Sequence, residues 1–233
     1  MGDTKPIAAL LFDMDGLMFD TERLILRSWQ RAMVDSGYQP SEEVFLRSVG
    51  RTVAATNQIL RAAYGPDFPL GSTNARTGEY VWQEVDAHGA PIKPGLLALL
   101  DFLEARGLPR AVASSSERAS IERLLGSVHL QPRFAAIAAG DEVAQGKPAP
   151  DIFLLAASRL GVDPAHCLVL EDSEAGTRAA HAAGMAALIV PDLILPSAEV
   201  AALAAAVLPD LHAVRDWLAQ RLSVPAKGVS CVR

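Results

Sequence analysis

Short, wholly apolar runs alternate along the chain with longer stretches in which apolar residues recur every three or four positions. Residues 6–13 (PIAALLFD), 110–114 (RAVAS), 134–139 (FAAIAA), 166–171 (HCLVLE) and 186–191 (AALIVP) show the first pattern, and 205–208 (AAVL) a weaker form of it. A strand without a polar face is one buried on both faces. Helical spacing fills 95–106, 117–125, 149–160, 174–183 and 197–204. Gly107, Gly126, Gly161 and Gly184 stand where left-handed helix ends are expected. Regular alternation of this kind predicts an α/β protein built on a Rossmann-like, doubly wound parallel sheet.

One stretch breaks the alternation. Between residues 20 and 90 there are helical patterns and no convincing strand. Thr21 is placed to N-cap a helix whose Ile25, Trp29, Ala32 and Met33 share a face and which Gly37 ends. Ser41, followed by Glu42 and Glu43, starts a second helix, and 52–64 and 74–88 supply two more. Some seventy helical residues exceed a simple crossover. The expectation is an all-helical cap domain over 19–91 inserted into a core made of 1–18 and 92–222, with 223–233 as a mobile tail. The connections, Leu17–Asp20 and Ala90–Pro94, would be hinges.

Composition narrows the class. Half of the 233 residues are hydrophobic and 21% are charged, which suits a globular chain with a substantial core. No apolar run approaches the length of a membrane span, and the first residues lack a signal-peptide pattern, so a cytoplasmic protein is expected. Cys167 and Cys231 are too few for a disulfide framework. A net charge of −6 without a basic cluster argues against nucleic acid. A monomer is the default expectation.

In an open parallel sheet, ligands bind beyond the carboxyl ends of the strands. Asp13-Met14-Asp15-Gly16 ends the first run, Ser114-Ser115-Ser116 the second and Glu171-Asp172-Ser173 the fourth, while Gly146-Lys147-Pro148 precedes a helix. Carboxylates gathered at one edge repel unless a cation neutralises them, and an all-oxygen set suits Mg²⁺. Lys147, the serine hydroxyls and helix N-termini would complete a cradle for a phosphate. Any one of these motifs alone reads as a turn or a cap; their joint placement carries the argument.

The segments FDMDGLMFDTE, VASSS, GKPAPDIF and VLEDSEAG together resemble the haloacid dehalogenase superfamily, in the branch of sugar-phosphate phosphatases and β-phosphoglucomutase with a helical cap. The resemblance implies an aspartyl-phosphate mechanism with Asp13 as nucleophile and Asp15 as acid/base. It implies Ser114 and Lys147 as phosphate holders, and Mg²⁺ on Asp13, the Asp15 carbonyl, Glu171 and Asp172. Ser115, Ser116, Gly50 and Arg51 are further candidate substrate contacts, Gly50 and Arg51 from the cap. The substrate would be a small phosphorylated metabolite. Asp15 speaks against dehalogenase chemistry, which lacks the second aspartate. Ile25 stands where mutases of this branch carry a histidine, so a phosphatase is expected ahead of a phosphomutase. A catalytically idle binding module is the remaining alternative, disfavoured because the nucleophile and lysine are both kept.

Overall fold

The computed structural model describes residues 6–49 and 53–222. Six strands form one parallel sheet: β1 (Ala9–Phe12), β2 (Arg110–Ala113), β3 (Ala136–Ala138), β4 (Cys167–Glu171), β5 (Ala186–Ile189) and β6 (Ala206–Val207). Their order is β3-β2-β1-β4-β5-β6, the doubly wound arrangement that the alternation predicts. The order reverses between β1 and β4, whose Ala9–Phe12 and Cys167–Leu170 are in register. That is where a crevice opens at the carboxyl edge.

Side chains alternate between the two sheet faces with period two, and the faces differ in bulk. Leu10, Phe12, Val112, Leu168, Leu170 and Leu188 point one way. They pack against α5 (Leu96–Glu104), α6 (Arg118–Ser127) and α10 (Leu211–Leu222). Ala9, Ala111, Ala113, Ala138, Val169 and Ala187 point the other way, against α7 (Asp151–Leu160) and α8 (Glu174–Ala182). The small residues let α7 lie close to the strands.

Between β1 and β2 come α1 (Thr21–Asp35), α2 (Glu42–Ser48), α3 (Val53–Tyr64) and α4 (Leu70–His88). They bury their own aromatic cluster of Trp29, Met33, Phe45, Leu60 and Phe68. Leu24 and Val85, at the sheet-proximal ends of α1 and α4, belong instead to the large core. The two connecting segments are hydrogen-bonded to each other. Asp20 N donates to Pro91 O at 2.8 Å, Lys93 N to Met18 O at 2.9 Å, and Phe19 pairs with Ile92 as an antiparallel bridge. Leu17, Met18 and Phe19 are fully buried. The expected hinges are thus paired with each other, the first buried at residues 17–19 and the second partly exposed.

Local expectations are corrected at several points. Asp20, not Thr21, precedes α1 as its cap residue, and it makes no side-chain cap bond. Thr21 is the first helical residue, with its buried Oγ1 unbonded among the described residues. Gly126 lies within α6 rather than ending it. The left-handed residue there is His129 (φ 58°), with Leu130 N donating to Leu125 O at 2.9 Å. α4 starts four residues before the predicted 74. The stretch 197–204 contains only one helical turn, α9 (Ala198–Ala201). The helix α10 was not anticipated; Asp210 Oδ1 accepts from Ala213 N at 2.8 Å, and Leu211, Val214 and Leu218 form its buried stripe. No described helix is long and apolar enough to cross a membrane.

Glu142, just beyond β3, ties the edge of the sheet to α6 and α7. Its carboxylate accepts from Arg159 Nη1 at 2.7 Å, Arg118 Nη2 at 2.8 Å and Ala139 N at 2.9 Å. The hydrogen bonds from Arg159 and then Arg118 hold its carboxyl well below the usual range. A depressed carboxyl stabilises the fold above its unfolded pKa and loses that contribution as pH falls. E142Q is therefore expected to cost about 1–2 kcal/mol at pH 7. In urea melts that gap between variant and wild type should begin to narrow below about pH 4 and go on narrowing as pH falls further.

Candidate active site

The backbone brings Asp13 to the site directly. Its N–H donates to Leu170 O at 3.0 Å, continuing the β1–β4 ladder by one residue, so its side chain leaves the sheet at the switch point. Lys147 reaches the same place from the segment before α7. Its Nζ donates to Asp13 Oδ1 and, at 2.6 Å, to Glu171 Oε1, and stands 4.9 Å from the Phe153 ring centre. Glu171 is wholly buried. Its other oxygen, Oε2, accepts from Asp172 N at 3.0 Å, Ser173 N at 2.9 Å and Ser173 Oγ at 2.8 Å. Both oxygens of Glu171 therefore organise their surroundings. Gly176, in the first turn of α8, makes room for it, since a Cβ there would lie 1.7 Å from Glu171 Oε1.

Asp15 occupies a separate environment. Its Oδ2 accepts from Ser116 Oγ at 2.8 Å and lies 3.5 Å from Ser114 Oγ. The turn that follows passes through Gly16 at φ 80°, where a Cβ would fall 2.2 Å from Asp172 Oδ2. Only a residue without a side chain lets the two loops meet here.

Asp13, Asp15, Ser114, Ser115, Lys147 and Asp172 line one cavity of about 540 Å³. Glu171 lies beneath it. Ser116 is behind Asp15 and does not line the cavity, so its hydroxyl serves that carboxylate. The first N–H groups of the loop and helix are also engaged: Ser116 N donates to Ser114 Oγ at 3.1 Å and Arg118 N to Asp141 Oδ1 at 3.1 Å. The expected helix-end cradle at α6 is thereby reduced. Gly50 and Arg51 lie outside the described residues, although their neighbour Val49 lines the cavity.

Among the acidic residues that line the cavity, sequence reasoning missed Glu22, Glu174 and Asp192. Asp192 follows β5 by three residues, and asking what ends that strand, as for β1, β2 and β4, would have found it. Glu22 is in the first turn of α1, and no local signal reveals the direction in which that helix leaves the sheet.

Electrostatics frame what the cavity can hold. Burial foremost, then the neighbouring carboxylates, pushes Asp13 and Asp172 well above the usual carboxylate range. Burial works against the Lys147 ammonium, but the Asp13 and Glu171 charges outweigh it and raise its pKa. Glu22 is pushed up to about 7 by burial and then by Asp15 and Asp192. Asp13, Glu171 and Asp172 each bring a carboxylate oxygen within 4.8 Å of the others. One ammonium cannot neutralise this set, and its all-oxygen donors fit a hard divalent cation.

A family model of haloacid dehalogenase-like hydrolases matches residues 7–184. The chain belongs to that family. Among curated relatives of this hydrolase, Protein CbbY of Rhodobacter capsulatus is 36% identical over 196 residues, 79% of this chain and 86% of that protein. The fructose-1-phosphate phosphatase YqaB of Escherichia coli K12 is 34% identical over 186 residues, 78% and 96% of the two chains. A haloacid dehalogenase family hydrolase of Deinococcus radiodurans, solved with phosphate and sodium bound, superposes with a TM-score of 0.78. It is 31% identical, and the match covers 96% of this chain and all of that one. The α/β fold and the family expected from the four motifs both stand.

Proposed function

We propose that this hydrolase is a Mg²⁺-dependent phosphatase acting on a small phosphorylated metabolite, of the sugar-phosphate kind named for its relative YqaB, through an aspartyl-phosphate on Asp13. The observation that carries the reading is the division of labour between two aspartates two residues apart. Asp13 is paired with Lys147 beside Asp172, while Asp15 is held separately by Ser116 and Ser114. Two carboxylates in different environments suit different roles.

Asp13 attacks phosphorus as the ester P–O bond breaks, and the departing oxygen takes a proton from Asp15. Asp15, now ionised, removes a proton from water, whose oxygen attacks the phosphorus of the aspartyl-phosphate. Inorganic phosphate leaves and Asp13 is restored. Ser114 and Lys147 hold the transferred group, and Lys147 offsets charge on its equatorial oxygens. Asp13, Asp172 and the Asp15 carbonyl would hold Mg²⁺, with Glu171 adjacent. The cation would neutralise the carboxylates and the non-bridging oxygens. Glu171 acts mainly by fixing Lys147 and the loop after β4.

The α1–α4 unit acts as the cap, excluding water during transfer. The enzyme works as a monomer in the cytoplasm, with Cys167 a buried thiol.

The test is phosphate release from p-nitrophenyl phosphate and a panel of phosphorylated sugars. Turnover should require Mg²⁺, vanish with EDTA and return when Mg²⁺ is restored. Turnover indifferent to EDTA would overturn the metal assignment. Conversion of β-glucose 1-phosphate to glucose 6-phosphate without free phosphate, given a trace of the 1,6-bisphosphate, would make the protein a mutase.

A further inference from the structure

A single buried carboxylate joins both cap connections to the catalytic edge of the sheet. Asp192, in the loop after β5, has a side chain only 2% exposed. Its Oδ1 accepts from Arg23 Nη1 at 2.7 Å and from Lys93 Nζ at 2.7 Å. Arg23 lies in the first turn of α1, just past the first connection, and Lys93 lies in the second. Arg23 Nη1 also donates to Asp20 Oδ1 at 2.8 Å. Asp192 Oδ2 is buried without a hydrogen-bond partner among the described residues. On its other side Asp192 abuts the metal loop. A Cβ on Gly16 would lie 3.6 Å from Asp192 Cβ and 2.2 Å from Asp172 Oδ2.

We propose that Asp192 is a positioning residue that latches the paired connections of the helical unit to the catalytic edge, setting the orientation from which the cap meets the substrate. The inference rests on the proposed function in assigning α1–α4 the part of a cap. The physical reason is the high free-energy cost of a buried carboxylate that loses its cations. Lys93 comes from the second connection and Arg23 from the helical turn that follows the first, and the two connections are themselves hydrogen-bonded together. A shift of either connection therefore strips charge from Asp192, and the connections keep their register to the site as a unit. Arg23 is the more exposed of the two partners, 44% against 15%, and belongs to a cap helix. Arg23–Asp192 is the link that yields when the cap turns, whereas Lys93–Asp192 stays with the core.

The test compares wild type with D192N, which keeps the shape and removes the charge. Spin labels at V34C on α1 and L154C on α7, both exposed positions away from the site, report cap orientation as a distance distribution. Cys231 is replaced by Ser for this purpose, and buried Cys167, whose thiol burial pushes up to about 11, should not label. The expected result is a narrow distribution in wild type and a broadened one in D192N. With p-nitrophenyl phosphate, KM should rise roughly tenfold while kcat changes little, the signature of lost pre-orientation. R23A should shift both readouts the same way. An unchanged distribution in D192N would overturn the proposal whatever the kinetics. A fall in kcat at constant KM would overturn it too, since that is what a merely unstable variant shows. If wild type fails to release phosphate, the functional reading falls, and the distance measurement alone still decides the latch.

Discussion

D13N is expected to lower the rate of phosphate release by about 10⁴-fold or more while leaving the protein at least as stable as wild type. The two halves of this result have one cause. Asp13 is buried, and burial, then the Glu171 and Asp15 charges, push its pKa up against the opposing pull of Lys147. Its ionised form therefore costs stability in the metal-free protein. An amide of the same shape removes that cost and keeps an acceptor for Lys147. It also removes the nucleophile, and no other group stands in its place at the end of β1. Stopped assays of p-nitrophenyl phosphate hydrolysis measure the first half, and thermal melts in EDTA the second. A variant that retained a tenth of wild-type turnover would exclude Asp13 as the attacking group.

K147A should damage activity and stability together. Lys147 is the cation shared by Asp13 and Glu171. Without it two buried carboxylates lose their partner, which typically costs about 3–5 kcal/mol if both stay ionised. Asp13 need not stay ionised, because its protonation relieves part of the cost. Carboxyls whose folded-state pKa is raised stabilise most below their unfolded pKa, and that contribution disappears as pH rises through the folded value. The deficit of K147A relative to wild type is therefore expected to be smaller at pH 5 than at pH 8, as read in urea melts without Mg²⁺. In turnover the loss should be about 10²–10³ in kcat, the usual effect of removing one charge-stabilising donor. A deficit that did not change with pH would show that Lys147 does not favour the ionised form of Asp13.

β1, β2 and β4 were legible in the sequence because they are buried on both faces, and such runs have no polar alternation to confuse them. The lining of the cavity was partly legible because Asp13, Asp15, Ser114, Ser115 and Asp172 follow strand ends, where a parallel sheet gathers ligands. Reading failed where direction in space mattered more than position along the chain. Ser116 resembles Ser114 in sequence, yet its hydroxyl turns to Asp15 and leaves the cavity. Gly126 looked like a helix end, but packing of Leu124 and Leu125 carries α6 one residue further and leaves His129 to take the left-handed turn. Glu22 enters the cavity through the angle of α1, which only tertiary packing defines.

The alanine face of the sheet has a meaning beyond core packing. Ala111, Ala113 and Ala138 set how near α7 can approach, and α7 carries Phe153, which stands under the ammonium of Lys147. The thickness of that layer is thus a gauge for the reach of one side chain. A few added methyl groups on that face would push α7 outward and be felt as a change of charge balance at the end of β1. In this molecule the spacing between two layers and the chemistry at their edge form one dimension.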